Sequence, residues 1–176
     1  VLAFELMLRD PDPAIYLERP CYHRLDPDDP CRPELWTSAR YSECVVSSLA
    51  AAIRLMLAER GDPSLTLIGY SGGGVLATLL AHRLPTARLV TVAANLDVAA
   101  WVAHHGYLPL DGSLDPADGD APPAEQLHLL GAVDETVPPA LVVPVLDGWQ
   151  VPYVIRDGFG HVCCWLDAWP EILGTR

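Results

Sequence analysis

No stretch of this chain reaches 18 uninterrupted apolar residues, so none is long enough to read as a membrane-spanning helix. The best candidate, residues 44–58, is broken by Ser47, Ser48 and Arg54. Positive charge is also scarce: 11 basic residues stand against 23 acidic ones, a net charge of -12. A surface of that sign repels polyanions, which argues against nucleic acid and anionic membrane as partners. Among five cysteines there is no Cys-x-x-Cys pair, and no Cys/His grouping has zinc-ligand spacing. No basic-then-apolar leader is apparent, and the chain begins at Val1 rather than Met. A processed chain or a fragment is therefore expected.

What is present fits a folded domain. The 176 residues are 51% hydrophobic and 19% charged, enough for one domain, residues 1–176, with a sizeable core. Apolar runs at 65–68, 89–93, 127–131 and 152–155 read as strands buried on both faces. A shorter run, Ala14 to Leu17, reads as a further strand. Residues 1–8 predict a short helix, stopped by Asp10-Pro11-Asp12-Pro13. Helical spacing recurs from 38 to 59, with Gly61-Asp62-Pro63 as the stop. Residues 111–123 form a Pro/Asp/Gly loop, and 162–173 predict a closing helix limited by Pro170. Alternating strands and helices imply an α/β fold: a mostly parallel sheet with helices on both faces.

Gly69-Tyr70-Ser71-Gly72-Gly73 lies between the first of the four main strands and a helical stretch from Gly74 to Ala81. A Gly-x-Ser-x-Gly in that context is a nucleophile-elbow pattern, with the serine on a strained turn. Residues two before and two after are expected to be small to avoid strand and helix, which accounts for Gly69 and Gly73. Ser71 is thus the candidate nucleophile, and the N–H of Gly72 a candidate oxyanion donor.

A serine hydroxyl needs a base, and the base needs an acid to orient it. Asp134 lies three residues past the 127–131 strand and is the candidate acid. Its rivals are Asp97 and Glu135, with Asp147 and Asp157 weaker; a plain turn or helix-capping role is the structural alternative for Asp134. His161, in Gly158-Phe159-Gly160-His161 after the last strand, is the candidate base. Flanking glycines would let that loop fold back over the sheet edge. His23 and His82 adjoin the wrong elements, His104 and His105 fall on a helix, and His128 falls inside a strand. Tyr70 and Asn95 are candidate substrate-lining residues. For Asn95-Leu96-Asp97, a helix-capping turn is the equal alternative. No metal ligand set and no organic cofactor is expected.

With Ser71, Asp134 and His161 in that order, the chain resembles the α/β-hydrolase fold family. It also resembles a narrower group of bacterial α/β hydrolases, often exported. That likeness rests on Tyr16-Leu17-Glu18-Arg19-Pro20-Cys21, Cys31, and Trp36-Thr37-Ser38-Ala39-Arg40-Tyr41-Ser42. It continues through Asn95-Leu96-Asp97 with Trp101, then Pro109-Leu110, Ser113-Leu114 and Pro116. It implies a serine hydrolase of a carboxylic ester, acting on a small-molecule acyl substrate. An amidase, acyltransferase or peptidase would use the same residues. A non-catalytic or incomplete relative is the alternative of a different class.

In that family the second oxyanion donor follows a third strand that precedes the first helix. This chain starts in that helix, so an N-terminally truncated fold missing its first strands is expected. Otherwise the Ala14–Leu17 strand pairs directly with its neighbour. Cys21 and Cys31 flank a Pro/Asp-rich loop, Asp26 to Pro30, that a bridge could close. The resemblance supports that bridge, and with it a periplasmic or secreted location. Free thiols in a cytoplasmic protein are the alternative. Cys163 and Cys164 are expected to be packing residues rather than a vicinal bridge.

Overall fold

The computed structural model describes residues 2–22, 31–61 and 64–174. His23, the Asp26–Pro30 loop, Asp62 and Pro63 lie outside the described residues. Among those described, four strands form one parallel sheet: β1 (Leu65–Tyr70), β2 (Thr86–Val92), β3 (Glu125–Gly131) and β4 (Tyr153–Arg156), in the order β1-β2-β3-β4. Parallel neighbours require crossovers. Here each crossover carries a helix: α3 (Gly72–Ala81), α4 (Val98–His105) and α5 (Pro139–Trp149). Helices α1 (Leu2–Leu8) and α2 (Glu43–Glu59) precede the sheet, and α6 (Trp165–Gly174) follows it.

Period-two alternation divides the sheet into two buried faces. Register places Leu67 beside Leu89, then Thr91 beside His128, with Leu130 two residues on. Leu67 and Leu89 pack with Val45, Val46, Leu49 and Ile53 of α2 and Val75 and Leu80 of α3. Leu130 packs on Val142 and Leu146 of α5. On the opposite face Val90, Val92 and Leu129 meet Leu2 and Leu6 of α1 and Trp165, Trp169 and Ile172 of α6. Each such aliphatic burial contributes roughly 1.5–3 kcal/mol. The two central runs thus become strands covered on both faces, whereas the edge strands β1 and β4 fall short of the expected double burial, with Ile68 39%, Val154 39% and Ile155 43% exposed.

Helix α2 starts at Glu43 rather than near 38, because Ser42 caps it by accepting the Val45 N–H at 3.4 Å. It ends at Glu59, and Gly61 follows with φ 73°. The closing helix likewise begins at Trp165 rather than Val162 and runs through position 170.

Ala14–Leu17 is not a strand. The segment from Pro13 to Arg19 is irregular, with Ile15 52% and Leu17 40% exposed. A strand exists through ladder hydrogen bonds, and this short run between Pro13 and Pro20 finds no ladder. It forms instead one wall of a cavity of about 1050 Å³ that follows the free edge of β1 from Leu65 to Tyr70.

Cys21 and Cys31 form a disulfide with Cα atoms 5.4 Å apart. The expectation that Cys163 and Cys164 are packing residues is corrected: they are joined as a vicinal disulfide, and Cys163 is exposed. They occupy the turn before α6, outside the core that would have packed them. Cys44 is a free, exposed thiol. Among the described residues, no helix is long and apolar enough to cross a membrane.

One buried polar network interrupts the apolar faces. His128, wholly buried in β3, has Nδ1 2.7 Å from Thr91 Oγ1 and Nε2 3.0 Å from Gln126 Oε1. Gln126 in turn donates to the Pro122 carbonyl at 2.8 Å. Gln126 Oε1 only accepts, so His128 Nε2 carries the proton and Nδ1 accepts from Thr91. Burial pushes the His128 pKa down to about 4. The unfolded chain therefore takes up a proton first as pH falls through about 6.5. Stability should be full above that pH and be lost towards pH 4, by up to about 3 kcal/mol. Urea midpoints at pH 7.5 and pH 4.5 test this: a His128→Gln variant should lose much less than the parent on acidification.

Candidate active site

Because all strands run one way, their C-terminal ends meet at one edge of the sheet. Hydrogen bonds carry the ladder past the strands: Ser71 N–H to Val92 O at 2.9 Å, Ala93 N–H to Leu129 O at 2.8 Å. Ala132 N–H reaches Arg156 O, and Val133 N–H reaches Phe159 O, both at 3.0 Å. The loops after β1, β3 and β4 are thereby fixed against their neighbours, and those loops carry Ser71, Asp134 and His161.

Ser71 has φ 52° and ψ -127°, a backbone conformation that costs a non-glycine residue roughly 1–3 kcal/mol. The turn is sharp enough that a Cβ on Gly69 would run into the Gly73 carbonyl and come within 2.6 Å of Gly74 Cα. The same reasoning fails at Gly73, where a Cβ would have nothing within 4 Å. The close approach falls one residue later: a Cβ on Gly74 would collide with that of Ala94. The helix turns Gly73 outward to solvent and Gly74 onto the end of β2.

The three candidate residues come together. His161 Nε2 lies 3.1 Å from Ser71 Oγ, and His161 Nδ1 lies 2.9 Å from Asp134 Oδ2. Since Asp134 accepts at Nδ1, that nitrogen carries the proton and Nε2 is left to accept from the serine hydroxyl. Asp134 is 3% exposed, and its Oδ1 accepts the N–H groups of Thr136 at 2.9 Å and Val137 at 2.8 Å. The turn-aspartate role and the histidine-orienting contact thus coexist on one carboxylate, one oxygen each. Of the rivals, Asp97 caps α4 by accepting from Ala100 N–H at 2.7 Å. Glu135 is exposed, and Asp147 accepts from the Tyr153 hydroxyl.

Packing holds the histidine in place. Tyr70, the last residue of β1, sets its ring 5.1 Å from that of His161, tilted by 41°. Burial, with the Asp134 charge second, pushes the Tyr70 phenol up to about 12. The Trp165 indole donates to the carbonyls of Gly160 at 3.0 Å and His161 at 3.1 Å. Gly131 matters in the same way: its Cβ would lie 2.5 Å from the Phe159 carbonyl, on the loop that carries His161.

Trp101, Tyr41 and Asn95 stand in segments singled out in the sequence, but their contacts at the site, and those of His105, were not read from it. The Trp101 indole and His105 Nε2 both donate to the Thr136 carbonyl at 2.8 Å, clamping the turn that holds Asp134. His105 does lie on α4, as expected, yet its ring reaches across to that turn. Tyr41, 3% exposed, rests its hydroxyl against Gly72, the first residue of α3. Asn95, also 3% exposed, sits in the loop after β2 beside the Tyr41 phenol, and its buried Nδ2 has no hydrogen-bond partner among the described residues. No motif signals these contacts, because each joins elements distant in sequence. Among the described residues, no group of three or more His, Cys, Asp or Glu is arranged to hold a metal ion.

Solved structures with the same architecture exist, whereas no protein-family model and no curated protein matches the chain. The esterase domain of a Rhodothermus marinus protein is 21% identical, with TM-score 0.58 over 74% of this chain and 65% of that one. An α/β serine hydrolase homologue from Coxiella burnetii is 22% identical, with TM-score 0.54 over 77% and 59%. A puromycin-hydrolysing peptidase from Mycobacterium tuberculosis is 19% identical, with TM-score 0.53 over 74% and 25%. The chain therefore has the α/β-hydrolase fold, while spanning less than two thirds of the length of each of these proteins.

The glycine geometry gives a test of the turn. Gly73→Ala should be neutral or stabilising by up to about 1 kcal/mol, because it removes a helical glycine without a clash. Gly74→Ala should cost about 1–3 kcal/mol through overpacking against Ala94. Thermal unfolding of the two variants side by side measures the difference; equal shifts would contradict the geometry.

Proposed function

We propose that this protein is a serine hydrolase that cleaves a carboxylic ester through an acyl-enzyme. The observation that carries this reading is the hydrogen-bonded chain from Ser71 through His161 to Asp134 at the strand ends. Ser71 Oγ attacks the ester carbonyl while His161 Nε2 takes its proton. Asp134 holds the imidazole in the required tautomer and stabilises the imidazolium. The carbonyl π electrons move onto oxygen, and the Gly72 N–H donates to the oxyanion. Collapse returns the His161 proton to the leaving alcohol. Water, deprotonated by the same imidazole, then attacks the acyl carbonyl and frees Ser71. Tyr70 packs against the imidazole, which supports its assignment to the substrate side of the site.

The likeness to an esterase domain and to a serine hydrolase homologue agrees with hydrolase chemistry. The Cys21–Cys31 disulfide supports an oxidising, extracytoplasmic compartment.

Two measurements test these assignments. A fluorophosphonate probe should label the folded protein at Ser71, with labelling abolished in Ser71→Ala. Turnover of p-nitrophenyl acetate should fall about 10³–10⁴-fold in Asp134→Asn, where the imidazole loses its orienting acceptor. A folded parent protein that takes no label would sink the catalytic reading. For the compartment, denatured unreduced protein should titrate one thiol, Cys44, against five after reduction. Five thiols before reduction would remove the support for export.

A further inference from the structure

An oxyanion held by a single backbone N–H is poorly stabilised, and each added donor in a dry site accelerates reaction substantially. We propose that the Tyr41 hydroxyl is the second hydrogen-bond donor to the oxyanion that forms at Ser71. The inference rests on the serine-hydrolase reading above and adds a donor to the Gly72 N–H.

Place is the first argument. Gly72 is the residue after the nucleophile, and its Cβ direction points at Tyr41: a Cβ there would lie 2.5 Å from the hydroxyl oxygen and 3.3 Å from Cζ. In a helix the Cα–Cβ bond tilts towards the N-terminus, the end where the Gly72 N–H is free of an intrahelical acceptor. The phenol therefore borders the side of Gly72 from which a donor can reach the same oxygen. Only glycine leaves that space open.

Rigidity is the second argument. Tyr41 directly precedes the Ser42 cap of α2, and its backbone is held on both sides. Its N–H donates to Ser113 Oγ at 3.2 Å, and its carbonyl accepts from Leu114 N–H at 3.1 Å. Ser113 is itself fixed by donating to Ser38 O at 2.8 Å. Burial among Val45, Val75 and neighbouring core residues fixes the ring. A donor positioned this way needs no reorganisation when charge develops.

Proton inventory is the third. Asn95 lies beside the phenol, and its buried Nδ2 has no hydrogen-bond partner among the described residues. Burial raises the Tyr41 pKa above the ordinary phenol value, so the group stays protonated at neutral pH. In the step itself Tyr41 donates a hydrogen bond and transfers no proton. The bond from Ser71 Oγ to the carbonyl carbon forms, the proton moves to His161, and the oxygen charge is shared by Gly72 N–H and Tyr41 O–H.

Tyr41→Phe removes the donor and keeps the ring. Its kcat for p-nitrophenyl acetate should fall about 10²–10³-fold, with KM nearly unchanged. Phenylboronic acid, which mimics the tetrahedral adduct, should bind it more weakly by a similar factor. A purely structural role for the tyrosine would not separate kcat and analogue binding from KM. Gly72→Ala, which pushes the hydroxyl aside while leaving it present, should reproduce the loss, and circular dichroism confirms that both variants are folded. If Ser71 labels normally in the parent and either folded variant keeps full kcat, the Tyr41 assignment is overturned and the Ser71 reading stands. If the folded parent does not label, both fall together.

Discussion

Everything at the candidate site depends on the common direction of the four strands. A parallel sheet delivers every strand end to the same edge, and the hydrogen-bond ladder continues beyond the strands, from Ser71 to Val92 and from Ala132 to Arg156. Those bonds hold three loops from distant parts of the chain within a few ångströms of one another. The distances of 3.1 Å and 2.9 Å along Ser71, His161 and Asp134 are a consequence of that register. Moving any one strand by a residue would turn its side chains to the other face and break the chain of contacts.

Small residues are placed where backbones must touch. Gly69 lets β1 turn into α3, Gly74 lets α3 seat against Ala94, and Gly131 lets the Phe159–His161 loop close over β3. Ser71 itself carries the strain of the turn, and the surrounding bonds hold it there. Around this frame, polar side chains act on single backbone atoms. Trp101 and His105 share the Thr136 carbonyl, and Trp165 shares its indole between two carbonyls of the histidine loop. The site is held by such second contacts as much as by its own three residues.

Legibility in the sequence followed the range of the forces involved. The runs at 89–93 and 127–131 were readable because double-sided burial leaves an uninterrupted apolar signature, and those at 65–68 and 152–155 because edge strands of the same sheet keep a short apolar run though one or both faces are partly exposed. Ser71 stood out as a candidate because a tight strand-to-helix turn needs local glycine. Asp134 and His161 were readable because each closely follows a strand. Ala14–Leu17 misled because apolar character cannot report whether a ladder partner exists. Gly73 misled because the motif names a spacing, while the clash depends on which way the helix faces.

The sequence by itself determined the alternation of strand and helix, the order Ser71, Asp134, His161, and the buried stripe of α2. These are encoded in residues close together along the chain, where periodicity and turn chemistry act. Only the tertiary structure decided that Tyr41 rests on Gly72, that His105 braces Thr136, and that Gly74 rather than Gly73 is the crowded position. It also decided that Cys163 and Cys164 pair with each other. Such contacts depend on the relative placement of whole elements, and that placement is fixed by the packed core and the sheet register, not by any short run of residues.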